Sequence, residues 1–278
     1  MRSETGWPGH GPEMLHRMTR RLPRLTADEL ARAIAGDALV TRYQPKVRLA
    51  DRVPVGVEAL ARLRHPRLGL IGPERFVPLA EEAGLAPLLT AAVTRRAVAD
   101  IAALRAEGLP LTVALNFPLE ILALPEIPDS LAREVSEAGL TPADLIVELT
   151  ETQAREELAD VRRVTQELIA HGFGVSLDDF GLGGAPHRHL HSLHFTEMKL
   201  DQSLVLGALA DPGLGQALDS AIAIGRAMQL TVVAEGVETP AAWNMLRDKP
   251  VDQAQGWLVG RPMLAEELAA WSDAWLAA

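Results

Sequence analysis

Short apolar segments that end in or near an acid or an amide recur along this chain, and helical patterns separate them from the second segment onward. They cover residues 39–47, 55–61, 111–117, 144–150, 173–179, 195–201, 230–236 and 251–257. The link between the first two is too short for a crossover helix, so we expect that pair to be antiparallel. Strands that alternate with helices form parallel sheets with right-handed crossovers. The pattern predicts an α/β fold, a modified (β/α)8 TIM-like barrel with an antiparallel first strand.

The 278 residues are enough for one large domain. Residues 1–25 combine glycine and proline with several arginines, which predicts a flexible N-terminal tail, and residues 26–278 then form the barrel domain. Thr26 and Glu29 form a capping-box pattern at the start of the first helix. An open doubly wound sheet is the alternative fold, but no glycine-rich turn follows the first strand.

Composition excludes several classes of function. A net charge of −10 and an aromatic content of 4% argue against a nucleic-acid polymer as partner. The chain has no cysteine, which excludes disulfides and thiolate chemistry and is compatible with a cytoplasmic location. We find no apolar run long enough to span a membrane and no signal peptide.

Glu58 lies within an apolar, strand-like segment, where an acid is costly unless it is paired, binds a cation or faces solvent at the strand end. The other predicted strands also carry polar residues at or near their carboxyl ends. Together these residues are Glu58, Asn116, Glu148, Asp178, Asp179, Lys199, Asp201, Glu235 and Gln255. In a barrel such ends converge on one mouth, where active sites lie.

At least six carboxylates in one mouth cannot all stay ionised without cations. Carboxylate and amide oxygens suit hard ions, so we expect two ions of the Mg²⁺ or Mn²⁺ type. With no cysteine in the chain and no histidine at a strand end, a structural zinc site is not indicated. Two divalent ions about 4 Å apart can clamp a phosphodiester and activate water.

Lys199 has three possible roles. Neighbouring carboxylates favour its charged form, so it can orient or protonate a reacting group. A Schiff-base lysine, as in aldolases, needs a depressed pKa instead. The third possibility is a structural ion pair with Asp201 or Asp178.

Eight short motifs follow one another along the chain. They are YQP (43–45), EALAR (58–62), LNF (115–117), ELTE (148–151), DDFG (178–181), KLD (199–201), AEGVET (234–239) and QGW (255–257). In this order they resemble the EAL domain, a family of cyclic di-GMP phosphodiesterases and their non-catalytic relatives. The resemblance runs from about residue 27 to the end of the chain.

The resemblance implies a role for each matching residue. The implied ligands of a first metal are Glu58, Asn116, Glu148 and Asp178; Asp179 brings in a second metal, with Asp178 bridging, and Asp201 is a further metal-site acid. Lys199 contacts the catalytic water and Glu235 acts as general base. The implied substrate contacts are Gln44, Arg62 and Gln255, while Glu151 anchors the loop after DDFG and Glu238 supports the site.

The same resemblance implies the activity and the partners. It implies metal-dependent hydrolysis of cyclic di-GMP, a second messenger of bacterial signalling, to 5′-pGpG with Mg²⁺ or Mn²⁺. It also implies a homodimer. A protein partner could bind through the N-terminal tail or the dimer face.

The loop after Asp179 departs from the family pattern. The family's aromatic residue and two hydroxyl residues are absent, and Gly184, Ala185 and Pro186 occupy their positions. We expect weaker binding of the second metal and reduced activity. The alternative is an inactive or weak EAL domain that acts as a cyclic di-GMP receptor or signalling module.

His187, His191 and His194 share one face of a predicted helix in the segment that follows. This face could form a pH- or metal-sensitive dimer helix. The alternative is a polar surface helix without such a function.

Overall fold

The computed structural model describes residues 25–156, 158–181 and 193–278. Nearly all of the predicted N-terminal tail therefore lies outside the described residues. So do His187, His191 and most of the loop after Asp179, which means that the predicted histidine face and the loop hypothesis are not addressed by the structure. No helix in the described ranges is long and apolar enough to cross a membrane.

The described residues contain nine strands and eleven α-helices. The strands are β1 (Leu39–Arg48), β2 (Pro54–His65), β3 (Gly69–Ile71), β4 (Thr112–Asn116), β5 (Leu145–Thr150), β6 (Gly174–Phe180), β7 (Glu197–Leu200), β8 (Thr231–Ala234) and β9 (Gln253–Gln255). The helices are α1 (Ala27–Ala35), α2 (Pro73–Glu82), α3 (Ala86–Ala106), α4 (Leu119–Leu122), α5 (Ile127–Glu137), α6 (Glu151–Glu156), α7 (Leu158–Ala170), α8 (Gln202–Gly207), α9 (Pro212–Ala227), α10 (Pro240–Arg247) and α11 (Leu268–Ala277).

Eight of the strands close into a barrel. The sheet order is β1-β9-β8-β7-β6-β5-β4-β2-β3, and an additional pairing of β1 with β2 completes the ring. β1 is antiparallel to both of its neighbours, whereas all the other pairs within the barrel are parallel. The predicted fold, a modified TIM-like barrel with an antiparallel first strand, is confirmed.

The end of β2 was not predicted correctly. The strand continues beyond the expected end at residue 61 to His65 and pairs with β3, which was not predicted. Leu63 faces Ile71 in this hairpin, and both are buried with Leu30 of α1 and Phe76 of α2. This second, smaller core fixes the helical layer beside β2.

Helix starts follow recognisable local chemistry. The Thr26 hydroxyl accepts from the Glu29 backbone N–H at 3.2 Å, and the Glu29 carboxylate accepts from the Thr26 N–H at 3.0 Å, which is the predicted capping box. Proline occupies the first turn of α2, α3, α5, α9 and α10, where its missing N–H removes no helical hydrogen bond.

Gly56 of β2 allows two barrel strands to approach closely. A Cβ atom at Gly56 would lie 2.4 Å from the Thr112 hydroxyl oxygen and 3.1 Å from the Thr112 carbonyl oxygen, on the neighbouring β4. Rotation of the Thr112 side chain relieves only the first contact. The wall of the barrel at this level therefore requires a residue without a side chain.

We predict that Gly56→Ala destabilises the protein by about 1–3 kcal/mol, because the added methyl group forces β2 and β4 apart. Gly215→Ala is the matched control, since a Cβ there meets only the Ala208 carbonyl oxygen at 3.8 Å. Replacing a helical glycine by alanine stabilises by about 0.5–1 kcal/mol. Urea unfolding of both variants measures the two changes; equal stability of Gly56→Ala and wild type contradicts the packing argument.

Candidate functional site

One polar side chain from each of the eight barrel strands, or from the residue directly after it, meets the others at the mouth of the barrel. These eight residues, the mouth layer, are Gln44, Glu58, Asn116, Glu148, Asp178, Lys199, Glu235 and Gln255. All of them were among the predicted site residues. Their convergence follows from the closed barrel, which directs alternate residues of each strand inward.

Lys199 is the centre of the mouth layer. Its Nζ atom lies 3.4 Å from Glu58 Oε2, 3.1 Å from Glu148 Oε1, 3.0 Å from Asp178 Oδ1 and 2.9 Å from Glu235 Oε1. The lysine is only 1% exposed, so its charge depends on these carboxylates rather than on water. Asp201, one of the two predicted structural partners of Lys199, is not among its ion-pair contacts within 4 Å in the described residues.

Amide side chains connect the carboxylates to one another. Asn116 Nδ2 donates to Glu58 Oε1 and to Glu148 Oε2, each at 3.1 Å. Gln255 Nε2 donates to Glu58 Oε2 at 2.7 Å and is 3.3 Å from Gln44 Oε1. Asn116 thereby satisfies the oxygens of Glu58 and Glu148 that Lys199 does not contact, whereas Gln255 shares Glu58 Oε2 with Lys199.

The close approach of the chain at Gly256 directs Gln255 into this network. A Cβ atom at Gly256 would lie 2.3 Å from the Val237 backbone nitrogen and 2.4 Å from its carbonyl oxygen. Only glycine fits at this position, which explains the glycine that follows Gln255 in the sequence.

Crowding shifts the pKa values of the acids in different directions. Burial raises the pKa of Glu148 well above its ordinary value, and the nearby charges of Glu58 and Asp178 add to the increase against the effect of Lys199. Burial also raises the pKa of Glu235 to about 7, with Lys199 opposing it. For Glu58, burial is outweighed by Lys199 and by the hydrogen bond from Gln255, so its pKa lies below the ordinary value.

The pKa of Lys199 lies well above its ordinary value. Burial lowers it, but the surrounding carboxylates, of which Glu148 has the largest effect, outweigh the burial. An ammonium held in this way is a poor nucleophile, which opposes the Schiff-base alternative.

Three carboxylates at the mouth could bind a cation. Oxygen atoms of Asp178, Asp179 and Glu235 lie within 4.8 Å of one another. Asp179 has a φ of 57°, an unusual conformation for a residue other than glycine, and its backbone N–H donates to Asp178 Oδ1 at 3.0 Å. Burial and the charges of Asp178 and Asp201 raise the pKa of Asp179.

Besides Asp179, four predicted site residues lie outside the mouth layer. Asp201 caps α8, accepting from the Ser203 backbone N–H at 2.7 Å and from the Ser203 hydroxyl. Glu151 Oε2 accepts from the Gly181 N–H at 3.0 Å, at the start of the segment after DDF. Arg62 lies on the same face of β2 as Glu58, four residues further along, and donates to the Ala61 carbonyl at 2.8 Å.

Two cavities flank the mouth layer. A cavity of about 210 Å³ is lined by Glu58, Glu235, Glu238 and Trp257, among others; it contains the fourth outlying residue, Glu238. A larger groove of about 740 Å³ runs between the ends of β2 and β4 and the helices α2 and α3, and it reaches Asn116, Glu148 and Asp179. The acids therefore lie between two open volumes.

The sequence patterns did not point to a second buried ion pair in the barrel. Lys46 Nζ lies 3.1 Å from Glu197 Oε1, and both residues are less than 5% exposed. The period of two along a strand could have revealed it, because Lys46 follows Gln44 and Glu197 precedes Lys199 by two residues.

Known proteins resemble this chain over most of its length. The EAL domain family model matches residues 27–262. The cyclic di-GMP phosphodiesterase PA2567 of Pseudomonas aeruginosa is 33% identical over 269 residues, which cover 96% of this chain and 45% of the relative. From the same organism, the bifunctional diguanylate cyclase/cyclic di-GMP phosphodiesterase MucR is 35% identical over 243 residues, which cover 87% of this chain and 36% of MucR.

A solved structure has the same fold. The PaMucR phosphodiesterase in complex with c-di-GMP has a TM-score of 0.80 and 35% sequence identity, with 87% of this chain and 98% of that chain covered. The chain spans less than half the length of the curated relatives described above. These comparisons confirm the family resemblance inferred from the motifs.

We predict that the metal-free protein loses stability as the pH rises from about 5 to 8. Glu235 keeps its proton up to a pKa of about 7 in the folded state, whereas in the unfolded chain it ionises near its ordinary value of 4.5. The folded state therefore binds more protons across this window, so its stability falls with rising pH, by roughly 3 kcal/mol at most from this group.

The measurement is urea unfolding in EDTA at several pH values, for the wild type and for Glu235→Gln. The glutamine cannot ionise, so the stability of the variant relative to wild type should increase with pH. A difference between the two proteins that is constant across the window contradicts the assignment of the raised pKa to Glu235.

Proposed function

Because the chain belongs to the EAL domain family, we propose that it is a metal-dependent phosphodiesterase that hydrolyses cyclic di-GMP to 5′-pGpG. The observation that carries this proposal is the contact of four carboxylates, each in or directly after a different strand, with the single ammonium group of Lys199. One positive charge cannot balance four ionised carboxylates. The pKa values of Glu148 and Glu235 are accordingly raised, and further cations would allow these acids to ionise. The names of the relatives point to the same substrate.

The side chains at the mouth fit hard divalent cations. All of the predicted ligands offer oxygen atoms, and Glu148 Oε1 is buried with the Lys199 ammonium 3.1 Å away. The proposed ligands of the first Mg²⁺ or Mn²⁺ are Glu58, Asn116, Glu148 and Asp178. Asp178 and Asp179 are the proposed ligands of the second, weaker one, and Asp201 is a further metal-site acid. Bound cations of this kind lower the pKa of water and neutralise phosphate charge.

Lys199 and Glu235 are the proposed catalytic residues. The Lys199 ammonium can donate hydrogen bonds to an attacking water or to a phosphate oxygen once it exchanges one of its carboxylate partners. Glu235, with a pKa of about 7, is suited to accept a proton from water near neutral pH. Its Oε1 atom is 2.9 Å from Lys199 Nζ, so the two groups can act on the same water.

Residues around the mouth would hold the dinucleotide. The two cavities on either side of the acids give room for the two halves of an elongated ligand whose phosphate lies over the carboxylates. We assign Gln44 and Gln255 to polar contacts with it and Arg62 to a phosphate, which its planar guanidinium can bind with two hydrogen bonds. Glu238 lines the smaller cavity as a supporting acid.

A cyclic di-GMP receptor without turnover is the second candidate function. The departure from the family pattern after Asp179 favours it, since this loop is expected to support the second metal. Glu151 nevertheless contacts the Gly181 N–H, so the start of the loop is held in place. We therefore expect reduced rather than absent activity.

The remaining expectations concern assembly and location. We propose a cytoplasmic homodimer, with a protein partner bound through the N-terminal tail or the dimer face. Light scattering of the full chain tests the dimer, and a monomer at micromolar concentration would contradict it.

We predict that the wild type converts cyclic di-GMP to 5′-pGpG in Mg²⁺ or Mn²⁺, and that Glu58→Ala and Lys199→Ala each lower the rate by at least about a hundredfold, because each removes charge from the reacting centre. Chromatography of the product measures the rate. Glu107→Ala, at an exposed position on the end of α3, is the control and should keep the wild-type rate.

Calorimetric titration with cyclic di-GMP in Ca²⁺ separates the two candidate functions. Tight binding by a wild type that forms no product in Mg²⁺ or Mn²⁺ supports the receptor. Absence of both binding and product contradicts both functions, and an undiminished rate in Glu58→Ala removes the proposed role of the mouth layer.

A further inference from the structure

The chain contains only three lysines, Lys46, Lys199 and Lys249, and uses arginine for its other basic residues. Lys46 and Lys199 are each 1% exposed, and both lie inside the barrel. A lysine carries a compact charge on a flexible stem, whereas the arginine fork is larger and planar. In a chain so rich in arginine, two lysines at inward-facing positions indicate a need for that compact charge.

Lys46, the second interior lysine, forms a buried ion pair across the barrel. Lys46 Nζ lies 3.1 and 3.4 Å from the two carboxylate oxygens of Glu197. β1 and β7, which carry the two residues, are separated in the sheet by β9 and β8, so the pair crosses the interior rather than following the wall. A Cβ at Gly56 would lie 3.6 Å from Lys46 Cε, which places the lysine stem beside the point where β2 and β4 approach closely.

Glu197 and Lys199 lie on the same inward face of β7, two residues apart. An unpaired carboxylate at Glu197 would attract the Lys199 ammonium from below. Lys199 would then be divided between Glu197 and the four acids of the mouth. The Lys46 ammonium prevents this, because it already neutralises Glu197.

Lys46 also acts on the mouth directly through its charge. Burial, Lys199 and Gln255 have larger effects on the pKa of Glu58, but Lys46 also lowers it. It likewise opposes the increase in the pKa of Glu148, for which burial is the main cause. The lower ion pair is therefore within electrostatic range of the mouth layer.

We propose that Lys46 is a positioning residue, which by engaging Glu197 keeps Lys199 directed to the four carboxylates at the mouth and sets the net charge that a divalent cation meets there. This role depends on both residues of the pair. Removing only one of them changes the position of Lys199 and the charge at the mouth, whereas removing both leaves the mouth nearly unchanged. The part of the proposal that concerns cations rests on the proposed function.

The test is the affinity for Mn²⁺, measured by electron paramagnetic resonance of the free ion at pH 8, for Lys46→Met, Glu197→Gln and the double variant. Lys46→Met leaves Glu197 to draw Lys199 away from the acids, so Mn²⁺ should bind roughly tenfold more tightly. Glu197→Gln leaves the Lys46 charge free to approach the acids, so Mn²⁺ should bind roughly tenfold more weakly. The double variant should lie within about threefold of wild type.

Lys249→Met is the matched control, because it removes the one lysine outside the barrel, where it pairs with Asp219, and it should leave the Mn²⁺ affinity within about threefold of wild type. A purely structural pair would give losses of the same sign in both single variants. Any pattern other than opposite shifts that cancel in the double variant overturns the proposal. If the single variant Lys46→Met does not fold, the comparison is between Glu197→Gln and the double variant. The double variant must then bind Mn²⁺ with nearly the wild-type affinity, whereas Glu197→Gln binds it more weakly.

A metal-free measurement keeps the inference separate from the proposed function. If the wild type binds no Mn²⁺, the proposed metal site fails, and nuclear magnetic resonance of lysine labelled with ¹⁵N at Nζ then tests Lys46 alone. Lys249→Met identifies one of the three ammonium signals. The Lys199 signal should move in Lys46→Met and return in the double variant; an unmoved signal in Lys46→Met overturns the proposal.

Discussion

The ammonium group of Lys199 holds four carboxylates together in a nearly dry barrel mouth. At about 3 Å and an effective dielectric constant of about 20, each ion pair contributes roughly 5 kcal/mol of attraction. This exceeds the penalty of several kcal/mol for burying the ammonium, but repulsion among the carboxylates opposes it. The balance explains why the pKa values diverge, with Glu58 ionised and Glu148 and Glu235 retaining protons more readily. The remaining negative charge is what the proposed cations would neutralise.

This arrangement depends on closure of the barrel by its antiparallel strand. β1 pairs with β2 on one side and β9 on the other, which places Gln44 opposite Glu58 and Lys46 opposite Gln255. The same strand therefore contributes to the mouth layer and to the ion pair beneath it. Because β1 runs against its neighbours, its inward face carries Gln44 at the mouth and the later Lys46 deeper in the barrel. Closure and the charge pattern are thus set by one strand.

Much of this was predictable because a polar residue in an apolar segment is conspicuous. Each member of the mouth layer was foreseen from its place at or near a strand end, or from the family resemblance in the case of Gln44. The Lys46–Glu197 pair was not, since its partners are 151 residues apart and only the closed barrel brings them together. The extension of β2 was missed because Arg62, Arg64 and His65 are typical of a solvated loop, although Leu63 between them is buried. Backbone pairing with β3 keeps this segment in a strand, although its own sequence does not predict one.

Asp179 shows most clearly where a periodic pattern fails. In a regular strand, the residue after the inward-facing Asp178 points outward, away from the mouth. Its φ of 57° and the shifted register between β6 and β7 after Leu177 break that alternation. The Asp179 carboxylate therefore approaches those of Asp178 and Glu235, at a backbone cost of about 1–2 kcal/mol. This backbone strain brings another carboxylate into an already acidic site. Both the strain and the added repulsion lower the stability of the fold, so stability does not explain the conformation. It is consistent with a site that binds cations, where the added carboxylate contributes to function.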